Sequence, residues 1–517
     1  MFASAVNPAP FLQDLNDRQT EAVLHEGGPL LVIAGAGSGK TRTLASRVAR
    51  LIEDGVPPER ILLLTFTRRA AAEMLRRAGS LADHSATGRV WGGTFHSIAN
   101  RLLRRNAPVV GLDDGFTVLD QGDVAGLFGL LRAELGFAEV KTRFPRKETV
   151  AAIYSRAVNA QEKLTQVLDE RFPWCRDHTD ELKELFRQYT ARKKRHNVVD
   201  FDDLLLYWRA LLESPAAGSV RQLFDHVLVD EYQDTNRIQA DILRMLCGSD
   251  GNVTVVGDDA QSIYSFRAAT VENMTQFPAI FPSTTIVKLE QNYRSTPQIL
   301  EAANAVIAEA TDTFPKRLWS DRPDGARPSF VTCVDEAAQA DYVCDEVLAM
   351  RELGVPLRDQ AVLFRTGHHS DGLEIELSRR RIPYAKFGGL RFLEAAHVKD
   401  LMAALRILDN ARDELAWHRV LQLVPGIGPA TARRILSELT GSNEPPLLQF
   451  CEASFPVVAE AGSLLVELQQ ALGDCATKDL DPGAQIERLL PFLQTVIERS
   501  YDDGAVRVAD LEQLRDI

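Results

Sequence analysis

The sequence LLVIAGAGSGKT, residues 30–41, joins a short apolar run to a glycine-rich turn. The run Leu30–Ile33 is typical of a strand that is covered on both faces of a parallel sheet. The glycines after it let the backbone curl, so that successive N–H groups point inward at phosphate oxygens. The stretch 34–41 therefore fits a phosphate-binding loop and predicts a strand, a loop and the start of a helix.

Each loop residue has an expected role toward ATP and Mg²⁺. Lys40 would neutralise charge on the β- and γ-phosphates, and the hydroxyl of Thr41 would bind Mg²⁺. The positive end of the following helix would add to the attraction for phosphate. Backbone contacts would come from Ala34, Gly35, Ala36, Gly37, Ser38 and Gly39. A glycine-rich surface turn is the alternative, and the apolar run in front of the loop argues against it.

A second apolar run, Val227–Val229, ends in two carboxylates, Asp230 and Glu231. Asp230 is the candidate ligand of Mg²⁺, directly or through water. Glu231 is the candidate base that orients the attacking water. Two solvated acids at the end of a strand are the alternative, but the phosphate loop in the same chain favours the catalytic explanation.

Further apolar runs at 61–64 and 253–256 alternate with amphipathic helical patterns, which indicates an α/β sheet with crossover connections. Residues 106–195 have few strand-like runs and predict a helical insertion in this first α/β domain. A second strand-and-helix region begins near residue 296, where Ala361–Phe364 predicts a buried strand. From residue 396 onward the pattern is helical again.

Length and composition predict about three or four domains, because a domain commonly has about 100–200 residues and the chain has 517. The 59 basic and 72 acidic residues, a formal charge of −13, neither indicate nor exclude a nucleic-acid partner. The six cysteines form no C-x-x-C pair, which argues against a zinc knuckle or an iron–sulfur cluster. Neither a signal peptide nor a membrane-spanning run is visible, so a cytoplasmic protein without membrane contact is expected.

Seven stretches between residues 15 and 295 resemble, in order, the conserved segments of UvrD/Rep-type helicases of superfamily 1A. They are LNDRQ at 15–19 (Q-motif), TFTRRAAAEM at 65–74 (motif Ia), GTFHS at 93–97 (Ib), DFDDL at 200–204, DEYQDT at 230–235 (II), VGDDAQSIYSFR at 256–267 (III) and QNYRS at 291–295 (IV). A small-molecule kinase would explain the phosphate loop but none of motifs Ia, III or IV.

The resemblance implies an α/β fold with P-loop RecA-like motor lobes and helical insertion subdomains of the 1B and 2B type. The expected boundaries are 1–105 and 196–295 for lobe 1A, 106–195 for 1B, 296–395 for an incomplete lobe 2A and 396–517 for 2B. FGGLRF at 387–392 and VKD at 398–400 resemble the start of 2B. VPGIGPATA at 424–432 resembles a hairpin whose amides would meet a duplex phosphate, with a plain helix–helix turn as the alternative.

The function that the resemblance implies is an ATP-dependent, 3′-to-5′ DNA helicase or translocase. Its expected substrates are single-stranded DNA and junctions of single- and double-stranded DNA, in repair, replication or recombination. Repair or replication proteins are possible partners, and the expected form is a monomer or weak dimer in the bacterial cytoplasm, associated with the nucleoid. The direction of movement comes from the resemblance alone.

Roles at the nucleotide follow from the same resemblance. Gln19 would recognise the adenine edge, and Arg42 and Tyr293 would flank the base. Gln261 would sense the γ-phosphate and report it to the DNA site. Arg294 would contact the γ-phosphate from the second lobe, like an arginine finger.

A track for single-stranded DNA needs aromatic faces for stacking and polar or basic groups for the backbone. Phe66 and Phe266 are the best stacking candidates by the resemblance, whereas core packing is the alternative for Phe95. The other candidates are Thr65, Thr67, Arg68, Thr94, His96, Tyr264 and Arg267.

Three departures from the family pattern stand out. Arg68-Arg69 replaces a usual Asn-Lys pair, and Ala268 replaces a usual glycine, which would stiffen that turn. No stretch resembling motifs V and VI is found, so the chain is expected to be C-terminally truncated. Such a form would bind ATP but unwind DNA poorly, and its second lobe would be unstable because open sheet edges remain.

Two other functions stay open from the sequence. The chain could be an ATP-gated DNA-binding or interaction module, which would turn over ATP without unwinding. It could also be the motor part of a recombination helicase–nuclease, although no cluster of Asp, Glu and Lys typical of a nuclease is visible.

Overall fold

The computed structural model describes residues 9–82, 84–137, 144–311, 314–365, 367–386, 396–440, 444–455, 459–478, 480–500, 507–508 and 511–512. The chain folds as two compact units. The first unit comprises Met1–Ala326, Asp409–His418 and Leu436–Pro446, and the second comprises Arg327–Leu408, Arg419–Ile435 and Leu447–Ile517. The stretch 387–392, which the sequence compares with the start of 2B, lies outside the described residues.

The strands that the described residues form all lie in the first unit. They are β1 (Leu30–Ala34), β2 (Ile61–Leu64), β3 (Trp91–Gly93), β4 (Thr117–Val118), β5 (Val198–Val199), β6 (His226–Val229), β7 (Val253–Gly257) and β8 (Thr285–Leu289). Six of them form one parallel sheet in the order β3-β2-β6-β7-β1-β8, and β4 pairs with β5 separately.

Helices connect and follow these strands. They are α1 (Asp17–Leu24), α2 (Lys40–Glu53), α3 (Arg68–Leu81), α4 (His84–Thr87), α5 (Phe95–Asn106), α6 (Gln121–Glu134), α7 (Lys147–Ala160), α8 (Leu164–Arg171), α9 (Thr179–Arg195), α10 (Phe201–Glu213), α11 (Ala217–Arg221), α12 (Arg237–Cys247), α13 (Glu272–Thr275), α14 (Phe277–Ile280), α15 (Pro297–Ile307), α16 (Glu336–Glu352), α17 (Asp371–Arg379), α18 (Ala396–Asp409), α19 (Glu414–Leu421), α20 (Pro429–Thr440), α21 (Pro446–Glu452), α22 (Ala459–Thr477) and α23 (Pro482–Ser500). Within the described residues, none of them has the length and apolar character that crossing a bilayer requires.

The large sheet forms where the apolar runs predicted it. Every residue of β1, β2 and β7 is buried. Alternate side chains of β1 enter opposite apolar layers, Leu31 and Ile33 on one face and Leu30 and Val32 on the other. The four strands predicted between residues 30 and 256 are therefore confirmed, and their parallel pairing places the ends of β1, β6 and β7 at one edge of the sheet.

Helices α6–α9 build a second apolar core between β4 and β5. The ring of Phe128 stacks on that of Tyr189 with centroids 4.1 Å apart, and both rings are fully buried. The pairing of Thr117 with Val198 brings the two ends of this helical segment together. The predicted helical character of residues 106–195 is confirmed where the structure describes them, and its status as a 1B subdomain stays a prediction.

A buried ion cluster joins this helical segment to α10. The ammonium of Lys193, on α9, lies 2.6 Å from carboxylate oxygens of both Asp200 and Asp203. Asp200 also accepts a hydrogen bond of 2.7 Å from the Tyr189 hydroxyl. Burial, reinforced by the neighbouring Asp200, raises the pKa of Asp203 to about 6. Asp200 in addition caps α10 by accepting from the Asp203 N–H, so one acid serves both elements.

In the second unit, the prediction of a buried strand at Ala361–Phe364 is wrong. The run forms no strand ladder with any residue that the structure describes, and Leu363 is 92% exposed. Apolar character alone cannot predict whether a partner strand is present to accept the backbone hydrogen bonds. The apolar core of this part lies instead between α16 and α17, where Cys344 packs near Leu377.

The turn between α19 and α20 has the helix–helix geometry that the sequence allowed. Gly426 has a φ of 86°, in the left-handed region that favours glycine, and Ile427 is buried. Contact of this turn with a duplex phosphate stays a prediction.

Replacing Lys193 by Met should destabilise the fold, because two buried carboxylates would lose their cation. The expected loss of unfolding free energy is about 3–5 kcal/mol, measured by urea denaturation. Lys183→Met on the same helix is the control, since Lys183 is exposed and pairs only with Asp180 in the described structure. A control loss of less than about 1 kcal/mol is expected, and equal losses in the two variants would contradict the prediction.

Candidate active site

The glycine loop connects β1 to α2 with an open helix N-terminus. Gly39 is the N-cap of α2 with a φ of 86° and no side-chain cap, so the amides of the first turn remain available to an anion. A Cβ on Gly39 would lie 2.5 Å from Nε2 of Gln19. The backbone angle therefore favours glycine here, and a side chain would also displace the Gln19 amide from the loop.

Gln19 braces the loop from outside. Its Nε2 donates to the Ser38 carbonyl at 2.9 Å, and its Oε1 accepts from the Asn16 N–H at 3.0 Å. Gln19 is only 1% exposed. Recognition of adenine by this side chain stays a prediction, because the hydrogen bonds that the structure describes are made to the protein backbone.

The QNYRS segment packs directly against the loop. The Tyr293 N–H donates to the Gly37 carbonyl at 2.9 Å, and the Asn292 amide donates to the Ala36 carbonyl at 2.5 Å. A Cβ on Gly37 would lie 2.7 Å from Cβ of Arg294. Arg294 belongs to the same compact unit as the loop. Its approach to the γ-phosphate from a second lobe stays a prediction.

Arg42 and Tyr293, the residues predicted to flank the base, are both partly exposed near α1. Arg42 donates to the Gln13 carbonyl and the Asp14 carboxylate, each at 3.0 Å. The Tyr293 hydroxyl accepts from the Asn16 side chain at 2.9 Å, and 46% of Tyr293 is exposed. Stacking of either side chain on a base stays a prediction.

The two predicted carboxylates meet the loop lysine. The Lys40 ammonium donates to Oε2 of Glu231 at 2.9 Å. Asp230 is buried at the end of β6, and its Oδ1 accepts no hydrogen bond from a described residue. Burial, together with the charge of Glu231, raises the pKa of Asp230 to about 7, although Lys40 opposes the rise. Asp230 is therefore a carboxylate that a cation would stabilise.

These residues fit an Mg²⁺ ion that keeps water and phosphate among its ligands. The described residues contain no group of three or more His, Cys, Asp or Glu side chains that could enclose a metal ion alone. Mg²⁺ usually takes one or two protein ligands and completes its shell with water and substrate phosphates. Thr41 and the unsatisfied oxygen of Asp230 are suited to that incomplete shell.

Asp234 and Gln233 are site residues to which the sequence assigned no role. Burial and the charge of Glu231 raise the pKa of Asp234 to about 7, and its Oδ1 accepts no hydrogen bond from a described residue. Gln233 donates to Glu231 at 2.8 Å and accepts from the Asp258 N–H at 2.9 Å. Their only signal in the sequence is their place in DEYQDT.

Gln261, the predicted γ-phosphate sensor, is linked to Gln233 through Asp258. It closes a short 3₁₀ turn, Asp259–Gln261, that follows β7. Its Nε2 donates to Oδ2 of Asp258 at 2.5 Å. A continuous series of hydrogen bonds therefore joins Glu231, through Gln233 and Asp258, to the predicted γ-phosphate sensor.

Aromatic candidates from motifs Ia and III come together a few residues beyond Gln261. The ring centroids of Phe66 and Tyr264 lie 4.6 Å apart, and those of Tyr264 and Phe266 lie 5.7 Å apart. Phe266 is 67% exposed. The Arg267 guanidinium lies 5.7–6.0 Å from the three ring centroids, so aromatic faces and a cation share one surface.

The turn after this surface carries Ala268 in the left-handed region, with a φ of 61°. An L-residue with a side chain is disfavoured there by about 1–2 kcal/mol relative to the right-handed region. The departure from glycine noted in the sequence thus falls at a position where backbone geometry favours glycine.

The threonines of motifs Ia and Ib are engaged with the backbone. Thr67 caps α3, Thr94 caps α5, and the buried Thr65 hydroxyl donates to the Thr67 carbonyl at 2.8 Å. Arg68 is exposed at the start of α3. Phe95 is 6% exposed and belongs to the apolar core, which confirms the packing alternative for this residue.

His96 and Phe201 add to the candidate DNA surface. Burial, with a smaller contribution from the charge of Arg267, lowers the pKa of His96 to about 4, so the ring is neutral near pH 7. Phe201 is 47% exposed, and its ring centroid lies 5.7 Å from that of His96. The sequence assigned no stacking role to Phe201, because exposure of a phenylalanine cannot be judged from a local pattern.

Helix α7 of the helical insertion touches the ends of motifs II and III. Arg156 donates to the Ser265 carbonyl at 2.9 Å. One turn further on, the Asn159 amide donates to Asp202 at 2.7 Å and its oxygen accepts from Asn236 at 2.8 Å. The insertion therefore packs directly on the segments that carry the candidate chemistry.

Sequence models of known families match most of the chain. A model of the UvrD/REP helicase N-terminal domain matches residues 15–282, and one of the UvrD-like helicase C-terminal domain matches residues 287–452. The chain belongs to the UvrD/REP helicase family. Family membership accounts for the parallel sheet, the glycine loop and the ordered motifs together. The expected C-terminal truncation is not confirmed by these matches and stays a prediction.

Individual relatives in the UvrD/REP helicase family are similar over long stretches. The ATP-dependent DNA helicase UvrD1 of Mycobacterium tuberculosis (strain H37Rv) is 38% identical over 436 residues, 81% of this chain and 56% of the relative. DNA helicase II of Escherichia coli K12 is 36% identical over 516 residues, 97% of this chain and 70% of the relative. The ATP-dependent DNA helicase PcrA of Leuconostoc citreum is 35% identical over 426 residues. The chain thus spans little more than half of some relatives, 56% of both UvrD1 and this PcrA.

Asp230→Asn should remove a pH-dependent loss of stability. Burial raises the pKa of Asp230 from 3.8 in the unfolded chain to about 7 in the folded protein, so the wild-type protein loses stability relative to the variant as pH rises between these values. The difference should level off above pH 7 at on the order of 4 kcal/mol, measured by urea unfolding across pH. Glu231→Gln, which removes the second cause of the shift, should reduce the difference. Parallel stability curves for wild type and Asp230→Asn would contradict the assignment.

Phe266→Ala should weaken binding of a fluorescent single-stranded oligonucleotide by about tenfold or more, because one stacked base contributes about 1–3 kcal/mol. Trp174→Ala is the control, since Trp174 is equally exposed, at 70%, but lies in the helical insertion. The control should bind within about twofold of wild type. Equal affinity of wild type and Phe266→Ala would remove Phe266 from the DNA surface.

Proposed function

We propose that this chain is the ATP-dependent motor of a 3′-to-5′ DNA helicase and that it moves along single-stranded DNA. The observation that carries the proposal is the hydrogen-bonded path from Glu231 through Gln233 and Asp258 to Gln261. That path ends three residues before Tyr264, at the start of the exposed aromatic surface. Loss of the γ-phosphate can therefore alter a base-stacking surface through few covalent and hydrogen bonds.

Bound Mg²⁺–ATP supplies the phosphoryl group whose transfer to water drives the cycle. Thr41 and Asp230 would hold the ion, and the open amides at the start of α2 would bind the phosphates. Lys40 would exchange Glu231 for phosphate oxygens, because these carry the greater negative charge. The released Glu231, still held by Gln233, would then orient the attacking water.

The remaining nucleotide contacts are assigned by family resemblance. Gln19 would meet the adenine edge, with Arg42 and Tyr293 on either side of the base. Arg294 would approach the γ-phosphate. Its position beside Gly37 supports this role, because the neighbouring Tyr293 N–H already donates to the Gly37 carbonyl of the phosphate loop. A charged group at this place would stabilise the transferring phosphoryl group.

The wider setting is assigned from the names of the relatives, which are DNA helicases. Single-stranded DNA and its junctions with duplex would be the substrates, in the cytoplasm, in the service of repair, replication or recombination. Within the motor, the six-stranded sheet would be lobe 1A, residues 106–195 would be 1B, and residues 396–517 would be 2B.

The rate of ATP hydrolysis by the wild-type protein should rise by about tenfold to 100-fold when a single-stranded oligonucleotide is added. Lys40→Ala should reduce the stimulated rate by about 100-fold, because phosphate charge loses its cation. The exposed Lys183→Ala should leave the rate within about twofold. Turnover in wild type that is indifferent to oligonucleotide would refute the proposed motor.

A further inference from the structure

A buried lysine, Lys316, pairs with two aspartates of motif III, Asp258 and Asp259. The Lys316 ammonium lies 2.7 Å from Oδ1 of Asp258 and also contacts Oδ1 of Asp259. The exposed fractions of the three side chains are 5%, 3% and 0%. Phe314, two residues before the lysine, donates its N–H to the second oxygen of Asp259 at 2.8 Å. The segment after α15 is thereby bound to the turn that follows β7.

Burying a lysine and two carboxylates costs desolvation free energy, which is offset here because each charged group has a close partner of opposite charge. Replacement of such a group by apolar residues is often neutral or stabilising in proteins. Stability alone is therefore a weak reason for this arrangement. The contacts of Asp258 indicate a second reason.

Asp258 is shared between Lys316 and the hydrolytic path. Its Oδ1 accepts from the Ala260 N–H at 3.2 Å as well as from Lys316, and its Oδ2 accepts from the Gln261 amide at 2.5 Å. Its own N–H donates to Gln233 at 2.9 Å. The Asp258 carboxylate, fixed in orientation by these contacts, holds the Gln261 amide with its N–H toward Asp258.

We propose that Lys316 is a positioning residue that, through Asp258, sets the orientation of Gln261 for ATP hydrolysis. The inference rests on the proposed function, because it requires Gln261 to act on the nucleotide. Without the cation, one oxygen of the buried Asp258 carboxylate loses its charged partner, and this change alters the bond of Asp258 to Gln261. ATP binding, which depends on the loop and α2, would be little affected.

Lys316→Met should lower the DNA-stimulated kcat by about tenfold to 100-fold, since small misplacements of a positioned group have effects of this size. KM for ATP should stay within about twofold, and Lys316→Arg should recover most of kcat. Lys288→Met is the matched control, because Lys288 is half-buried and donates only to the Pro315 carbonyl next to Lys316 in the described structure. This control should retain wild-type kinetics.

A double-mutant cycle separates positioning from structural support. If Lys316 acts through Gln261, Lys316→Met should have no further effect on kcat in a Gln261→Ala background. Independent, multiplying losses would overturn the proposal, and so would a Gln261→Ala variant with normal kcat.

The charge-balanced variant Lys316→Met with Asp259→Asn covers the case in which Lys316→Met unfolds. It removes one positive and one negative buried charge but still deprives Asp258 of its cation. A folded variant with a low kcat, judged by circular dichroism well below its melting temperature, would support the proposal. Recovery of normal kcat together with stability would overturn it. Absence of DNA-stimulated turnover in wild type would instead refute the proposed motor, which separates the two failures.

Discussion

The parallel pairing of β1, β7 and β6 is the constraint on which the site depends. Parallel strands of one sheet end at the same edge, so the loop after β1, Asp258 after β7 and the carboxylates after β6 become neighbours. Lys40 and Glu231 are 191 residues apart in sequence, yet their charged groups lie 2.9 Å apart. Burial of both faces of the sheet, rather than any local interaction, holds this distance.

The site contains two carboxylates, Asp230 and Asp234, whose charged forms are disfavoured by burial. Burial raises the pKa of both Asp230 and Asp234 to about 7, with the charge of Glu231 adding to each rise. A bound cation would reverse this penalty, so affinity for the metal–nucleotide complex and stability of the protein alone oppose each other. The charge of Lys40 partly offsets the free-energy cost of burying these carboxylates. Lys40 is itself paired with Glu231, and phosphate would compete with Glu231 for the lysine.

Short hydrogen-bonded paths connect the candidate catalytic residues to the exposed aromatic surface that is proposed to bind DNA. Gln233 joins motif II to motif III through its hydrogen bonds with Glu231 and Asp258. Helix α7 of the helical insertion also contacts motif III, because Arg156 donates to the Ser265 carbonyl. These contacts involve backbone atoms and amide side chains with no distinctive spacing. Sequence patterns therefore indicated the motifs but assigned no role to Gln233, Phe201 or Lys316.

The sequence by itself determined the four buried strands, the loop at 34–41 and the carboxylates after β6, because continuous apolar runs and glycine spacing are local consequences of sheet burial and backbone freedom. Only the tertiary structure decided that Arg294 lies beside Gly37 in the first unit and that Ala361–Phe364 is exposed without a ladder. Both outcomes depend on which distant segments become neighbours. The free energy of burying a side chain or pairing a strand is set by those partners, and a local pattern does not contain them.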